Sequence, residues 1–587
     1  MSKEETSTPP RPRSMDPAEI GFVRKPMVRW LDPRQLMTTA FRVVVSGVFG
    51  TWADKRELQA ALSATGVGDR SQGAGLWIDY VADLGDGFDP TYTVARLLAG
   101  KRLELSWQAT LYPTERGQIL VMGGDQVYPT ATTDEYESRL IGPYRAALPV
   151  SLPESGHPQL LAIPGNHDWY DGLTSFIRIF CQGSWIGGWK TAQTRSYFAV
   201  KLPHRWWLWG IDIQLDTYVD DPQMDYFKKV VAPEVEPGDR IILCNAIPAW
   251  LHAGDSKEHA SFRNLRYFER HAVQPTGARV ALYLSGDWHH YARYEGGQGT
   301  SQRITAGGGG AFLYPTHRLP ERLELEEDGG VGRYQLKTTY PTRALSKRLR
   351  RGLWRLPARN IPFAVTVGIT YLALAWMVLI GLSRLGVEQG AAARSLALRD
   401  LGIGLAGSPV AILALGGLVG GLVGYAKGLQ GPRRWALGIT HAAGHVAVVA
   451  GLMLGASRVI SGLEGAAAVV GFLVAVGVVG AVAGSFVMAA YLWMSNRFLG
   501  MHNNEAYSAM RIMDYKNFLR LHLGIDGALT IFPIGIDRVG RRWQARPDAP
   551  ADAPWFEPAE EEPEAHLIEA PIRIEGVESW TSGKEPE

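Results

Sequence analysis

Gly124-Asp125-Gln126-Val127-Tyr128 comes directly after an apolar run, Gln118 to Met122, of the length and character of a buried strand. The same pairing of strand and polar loop recurs at Leu160 to Ile163 with Gly165-Asn166-His167-Asp168, and at Val280 to Leu284 with Gly286-Asp287-Trp288-His289-His290. Each loop sets oxygen or nitrogen donors at the carboxyl end of a strand, where open α/β sheets build their sites. Several such loops converging would hold a pair of cations, and a cation pair suits phosphoester hydrolysis.

Outward from these loops, strand, polar loop and helix alternate from Leu76 to about Tyr340, which predicts an α/β domain over residues 76–342. Trp77 to Ala82, Trp206 to Asp212, Arg240 to Cys244 and Arg279 to Ser285 read as further strands, and Thr93 to Leu98 as helix. Before this domain, residues 1–22 are polar and Pro-rich, without an apolar signal-peptide core, and read as disordered. Residues 23–75 read as a lead-in packing on the domain, with a strand candidate at Val43-Val44-Val45 and a helix-like stretch opening at Gly50 to Leu58.

After the domain the composition changes. Residues 343–360 form a basic linker, with seven Lys or Arg and no acid between Arg343 and Arg359. Four uncharged or nearly uncharged apolar stretches follow within 361–496: Ile361 to Ser383, Leu401 to Ala426, Trp435 to Ser457 and Gly465 to Asn496. A helix needs roughly 20 apolar residues to cross a bilayer, so the chain is expected to be a multi-pass integral membrane protein with four transmembrane helices. Lys and Arg fall in the flanks and in the loop with Lys427, Arg433 and Arg434, which puts the α/β domain and both termini in the cytoplasm. Gly416-Gly417-Leu418-Val419-Gly420-Gly421 and similar small residues allow close helix approach, in a bundle or in a homo-oligomer of it. His441 and His445 share one helix face, where polar packing between helices is the default and a metal or haem the alternative. Residues 497–545 return to a soluble pattern that could pack back on the catalytic domain, helical over Ala506 to Leu521 and strand-like over Gly527 to Ile536. Residues 546–587, Pro- and Glu-rich, read as a disordered tail.

One more loop completes the set: Asp83-Leu84-Gly85-Asp86-Gly87-Phe88-Asp89 after the first strand. In order the loops read Asp-x-Gly, Gly-Asp-x-x-Tyr, Gly-Asn-His-Asp and Gly-Asp-x-His. This ordered set resembles the calcineurin-like metallophosphoesterase superfamily, most closely its purple acid phosphatase branch, over roughly residues 76 to 320. The resemblance implies a sandwich of mixed sheets flanked by helices. It implies Asp83 and His289 as ligands of a first metal, Asp125 bridging both metals, Tyr128 as a phenolate ligand and Asn166 as a ligand of the second metal. It also implies His167 beside the phosphate, where it stabilises charge or protonates the leaving group, with Asp168 orienting its ring. Asp86 and Asp89 have a simpler reading as caps.

The departures from that pattern fall on the second metal. Asn245 stands after the Arg240–Cys244 run where the family has histidine, and Asp287 replaces the first histidine of Gly-His-x-His. Asp125, Asn166, Asn245 and Asp287 make an oxygen-only set, which suits Mn²⁺, Mg²⁺ or Ca²⁺ better than Zn²⁺. The expected cofactors are thus two divalent or mixed-valence ions, Fe or Mn at the first site and Mn, Mg or Ca at the second, or a second site that is weak. The expected substrate is a phosphate ester or anhydride, with a lipid-linked phosphate or pyrophosphate attractive because the chain is tethered to membrane. A formal net charge of +2 over 587 residues argues against nucleic acid as a partner. Two cysteines, Cys181 and Cys244, exclude a Cys-based metal site. The competing expectation is a catalytically impaired sensor or regulatory domain of a membrane protein. Gly307 to Gly310 reads as a loop approaching substrate or a tight turn, and His317 as a pocket residue.

Overall fold

Side chains alternate across a strand, and in the computed structural model of the chain this alternation separates three cores. The structure describes residues 11–49, 66–149, 156–213, 219–253, 260–297, 301–327, 330–385, 395–426, 431–460 and 465–576. From strand Leu76–Val81, Ile78 and Tyr80 enter a central core and Val81 an outer one. From strand Trp206–Ile211, Trp206 and Leu208 enter the same central core, while Trp207 and Trp209 enter a third. Two sheets therefore face each other across shared apolar side chains. Helix Phe88–Ala99 covers the outer face of one, and helix Ala260–Phe268 that of the other. The fold is mixed α/β.

In the first sheet Leu76–Val81, Ile119–Met122 and Gln159–Ala162 are parallel neighbours. Their register, Val81 against Met122 against Ala162, brings the three carboxyl ends level. In the second sheet Trp206–Ile211, Arg240–Asn245 and Arg279–Ser285 are likewise parallel, ending at Ile211, Asn245 and Ser285. Antiparallel strands complete both sheets, so each is mixed. The parallel carboxyl ends carry the polar loops read from the sequence.

The first sheet continues where the sequence did not place it. Strand Lys516–Leu523 pairs antiparallel with Leu76–Val81, and Leu529–Ile536 pairs outside it. The expected helix over Ala506 to Leu521 is instead a helix at Asn503–Met510 followed by this strand, because the open edge of the Leu76–Val81 strand offers a ladder that outweighs local helix preference. The expected disorder after Arg546 is also overturned over 546–576. Phe556–Pro558, Ala565–Leu567 and Ile572–Ile574 are strands, the last two on Leu529–Ile536. Phe556 and Leu567 are buried anchors, and Glu569 pairs with Arg293 at 2.7 Å. Within 1–22, residues 11–22 are likewise ordered: Asp16 caps helix Pro17–Ile20, and Arg11 donates to Arg546 O. Val43 to Val45 lie in helix Pro33–Phe49, not a strand. Gly50 to Leu58 lies outside the described residues.

The chain divides into two units. One is Met1–Val28, Thr39–Ser346 and Arg511–Glu587; the other is Arg29–Thr38 and Lys347–Met510. The helical unit is thus inserted between two strands of the sheet unit. Ile361–Arg384, Pro432–Val459 and Gly465–Leu499 are long and apolar enough to cross a membrane. The expected second span is not one straight helix: Leu398–Ala406 and Pro409–Tyr425 meet at 102°, giving up to four spans if the bent pair counts as one. Small residues make the close approaches there. A Cβ on Gly368 would stand 2.6 Å from Gly477 O, and one on Gly438 2.4 Å from Val423 Cα. The run quoted from the sequence does not do so, since Gly416, Gly417, Gly420 and Gly421 meet nothing within 4 Å.

Candidate functional site

Asp83, Asp125 and Asp287 each stand just past a strand, and each has a left-handed backbone, with φ of 58°, 49° and 64°. Aspartate adopts this region at a cost, and such strain persists where surrounding structure imposes it. Here adjoining loops impose it. Asp83 N–H donates to Gly124 O and Leu84 N–H to Asp125 O, while Asp287 N–H donates to the Asp83 carboxylate at 2.8 Å. Gly165 is pressed against Asp125, where a Cβ would lie 2.1 Å from Oδ1.

The Tyr128 phenol stands among three partners: Asp83 Oδ1 at 3.0 Å, Asp125 Oδ2 at 3.0 Å and His289 Nε2 at 3.1 Å. His289 Nδ1 lies 2.8 Å from Phe312 O. A carbonyl only accepts, so Nδ1 carries the proton and the Nε2 lone pair faces the carboxylates. One phenolic proton cannot satisfy three acceptors, and the cluster is short of positive charge. Burial, then repulsion from Asp125 and Asp287, pushes the Asp83 carboxyl well up. Burial pushes Asp125 up to about 7, and burial with the Asp125 charge brings Asp287 to about 7. Burial, with Lys516 nearby, pulls His289 down to about 3, so its ring is neutral at pH 7.

The asparagines supply neutral oxygens. Asn245 donates through Nδ2 to Ile247 O and its buried Oδ1 has no partner. Asn166 donates through Nδ2 to Tyr170 at 2.9 Å, a bond that does not use its amide oxygen. Three crowded carboxylates, a lone-pair nitrogen and an orphaned amide oxygen fit a hard cation in chemical type. Among the described residues, no three or more His, Cys, Asp or Glu are already arranged to hold a metal ion. The donors on this side of the molecule include a phenol and amides, and Tyr128 fills the space between the first-site candidates.

His167 is tied to the cluster through its backbone N–H, which donates to Asp125 Oδ1 at 2.9 Å. Its ring is oriented by Pro129 O, 2.8 Å from Nδ1. The expectation that Asp168 orients this ring is corrected: the Asp168 oxygens accept from Tyr136, Gly165 N–H and Gln126 N–H, which pins the two loops together. Burial lowers His167 to about 4. Asp86 holds Val28 N–H and Phe312 N–H, and Asp89 the Trp543 indole, so both are structural.

Sequence reasoning missed Lys516. It lies fully buried on the strand after the helical insertion, donates to Ala311 O and is within electrostatic reach of Asp86 and Asp83. Burial lowers it to about 8. The Gly307 to Gly310 run proves to be a packing device: a Cβ on Gly307 would stand 2.3 Å from Asp83 Oδ2 and one on Gly310 2.0 Å from Leu84 O. His317 is buried, with Nδ1 2.9 Å from Ser346 Oγ. In the helical unit, His445 lies 3.2 Å from His441 and 2.7 Å from the Tyr371 hydroxyl, a polar contact network between helices.

No family model matches the chain, and no curated protein matches it. Solved structures to which the chain is similar include two of particular note. One, described as GAP50, the anchor in the inner membrane complex of Plasmodium, is 12% identical with a TM-score of 0.31, over 47% of this chain and 93% of that one. The other, PhoD, is 8% identical with a TM-score of 0.26, over 46% of this chain and 62% of that one. Likenesses of this size say nothing about activity.

Proposed function

We propose that the chain is an integral-membrane, metal-dependent phosphoesterase of the calcineurin-like type, hydrolysing a phosphate ester or anhydride. One observation supports this above the rest. Asp83, Asp125 with Tyr128, and His289 come from three separate loops, more than 200 residues apart at the extremes, and the two carboxylates and the imidazole meet within hydrogen-bond distance of the Tyr128 oxygen. These four residues would hold a first cation, of Fe or Mn. Asp125, Asn166, Asn245 and Asp287 would hold a second, of Mn, Mg or Ca. Bound cations supply Lewis-acid stabilisation of phosphoryl oxygens and acidify an attacking water.

The chain's own groups divide the remaining work. Asn166 and Asn245 add oxygen without adding charge, which limits repulsion against an anionic substrate. His167 has its tautomer fixed by Pro129 O, leaving Nε2 as the variable end. A phosphate dianion at that position raises the ring pKa from about 4 and favours its donating to a phosphoryl or leaving-group oxygen. Lys516 offsets part of the carboxylate charge. A lipid-linked phosphate remains the favoured substrate class, and the domain with both termini is assigned to the cytoplasm by the positions of Lys and Arg.

Turnover of an aryl phosphate and an aryl diester by the full-length protein, with Mn²⁺ or Fe, tests the proposal. Asp125→Ala and His167→Ala are expected to lose at least about 10²-fold; full activity in either contradicts it. The sensor reading draws on the same oxygen-only second set. Binding of a single metal equivalent, with no turnover, decides for it.

A further inference from the structure

The loop from Gly307 to His317 is bonded on one side to the site. Gly309 N–H donates to Ala82 O at 2.8 Å and Ala311 N–H to Asp83 O at 2.9 Å. Phe312 N–H donates to Asp86 at 3.1 Å, and Phe312 O holds His289 Nδ1. On its other side the loop is bonded to both points where the chain leaves and re-enters the sheet unit. Ser346 is the last residue of that unit before the helical insertion. Its hydroxyl accepts from Thr316 N–H at 3.1 Å and lies 2.9 Å from His317 Nδ1. The unit resumes at Arg511. Immediately afterwards Ile512 O accepts from Leu313 N–H at 3.0 Å, Lys516 donates to Ala311 O, and Asn517 N–H donates to Gly308 O at 3.1 Å.

We infer that Ser346, Ile512 and Lys516 are positioning residues for the site, and that the helical insertion regulates it by pulling on this loop. The inference rests on the phosphoesterase reading. The loop has no slack with which to absorb a shift: a Cβ on Gly308 would lie 2.1 Å from Asn517 Nδ2, and one on Gly309 2.6 Å from Ala82 O. A displacement at either junction is therefore passed to Asp83, Asp86 and His289 rather than lost in a gap. The return junction is held in left-handed backbone at Arg511 and Tyr515, with φ of 47° and 61°, a conformation that relaxes when its restraints do. Lys516 moves with that junction, so the field at the carboxylates changes along with the geometry. The natural input is the bilayer, because apolar helices answer a change of hydrocarbon thickness by tilting.

The test uses the full-length protein in vesicles of dimyristoleoyl or dierucoyl phosphatidylcholine, reading aryl phosphate turnover with Mn²⁺. The parent is expected to differ about fivefold in kcat between the two bilayers. Ser346→Ala and Lys516→Met are expected to bring that ratio close to one, while Ser346→Thr, which keeps the hydroxyl, retains it. A general loss of stability lowers activity in both bilayers alike and leaves the ratio standing. A parent ratio of one, or an unchanged ratio in Ser346→Ala and Lys516→Met, overturns the inference while the phosphoesterase reading stands. Absence of turnover in every vesicle removes that reading and the inference with it.

Discussion

The ion pair between Asp79 and Arg520 ties the strand after the helical insertion to the strand that leads to Asp83. Arg520 Nε and Nη2 donate to the two Asp79 oxygens at 2.8 and 3.2 Å, Gly117 N–H adds a third bond to Asp79 at 2.9 Å, and Thr114 takes Arg520 Nη1 at 3.3 Å. Both side chains are fully buried, with relative exposures of 2% or less. Removing one partner leaves the other charge in apolar surroundings, which costs about 3–5 kcal/mol. Asp79→Leu and Arg520→Met are each expected to fall in that range. The double variant buries no charge and leaves only Gly117 N–H unpaired, a loss of about 1–3 kcal/mol. The double variant is thus expected to be more stable than either single one, with a coupling energy of several kcal/mol. Trp77 reports the event locally, since its ring stacks on His522 of the paired strand at 4.2 Å. Thermal unfolding of the full-length protein followed by tryptophan emission should show each single variant lower by about 6–10 °C, at roughly 2 °C per kcal/mol for a domain of this size. Additive losses, or single-variant shifts under about 2 °C, would refute the pairing of these strands and with it the discontinuous sheet unit.

Gly307→Ala is expected to cost at least about tenfold in turnover, because its methyl would displace the Asp83 carboxylate; an active Gly307→Ala enzyme contradicts the packing. Tyr128→Phe is expected to weaken metal affinity by about tenfold or more while leaving the fold intact, as followed by metal titration; unchanged affinity removes Tyr128 from the donor set. Metal-free protein should lose stability as pH rises from about 5 to about 8. Asp125 and Asp287 sit at about 7, raised from the ordinary carboxylate range, so the stability from holding their protons is full at low pH and lost through 7. A metal-free melting temperature that is flat or rising over this interval counts against three crowded carboxylates. Cysteines introduced at Arg348 and Arg511 should react with an impermeant maleimide from the same side of sealed vesicles; opposite sides would mean an odd number of crossings.

The sequence marked the candidate loops more clearly than it marked the sheet that holds them. The loops of Asp83, Asp125 and Asn166 were legible as neighbours because each follows a short apolar strand and those three parallel strands lie in level register; His289 follows a strand of the facing sheet, and its approach rests on the packing of the two sheets. The role of Asp168 was not legible, since a carboxylate beside a histidine in sequence need not touch it in space; Tyr136 and two backbone N–H groups hold it instead. Lys516 lay beyond reach for a different reason. Its meaning depends on a strand pairing across more than 400 residues, Leu519 against Tyr80, and no local pattern encodes such a contact. The acidic tail misled through its average. A few apolar anchors suffice, although the composition around them is that of a disordered segment: Leu567 and Ile572 add strands to Leu529–Ile536, and Phe556 anchors a separate pair with Trp543–Ala545.

The insertion also bears on how the helices sit in a bilayer. The sheet unit is built from segments on both sides of Lys347–Met510, and Lys516–Leu523 is hydrogen-bonded along its length to Leu76–Val81. A hydrogen-bonded sheet cannot be divided by a membrane, so if the apolar helices cross one, an even number of crossings returns the chain to the side it left. Composition alone allows three spans or four. If the long helices do cross a bilayer, this connectivity favours four crossings over three. Either the bent pair Leu398–Ala406 and Pro409–Tyr425 crosses as one broken span, or one of the three long helices does not cross. Each of the three is at least 24 residues and strongly apolar, so leaving one in water would expose a large apolar surface. Pro409–Tyr425 has 17 residues, about 26 Å of helix, short of the roughly 30 Å hydrocarbon core. The residues before it, Leu398–Ala406, supply the missing length only by bending, with Ser408 capping the start of the longer helix at the break. A four-span arrangement is thus what the strand pairing in the sheet unit favours if the helices lie in a bilayer, with the bent pair as the fourth, broken span.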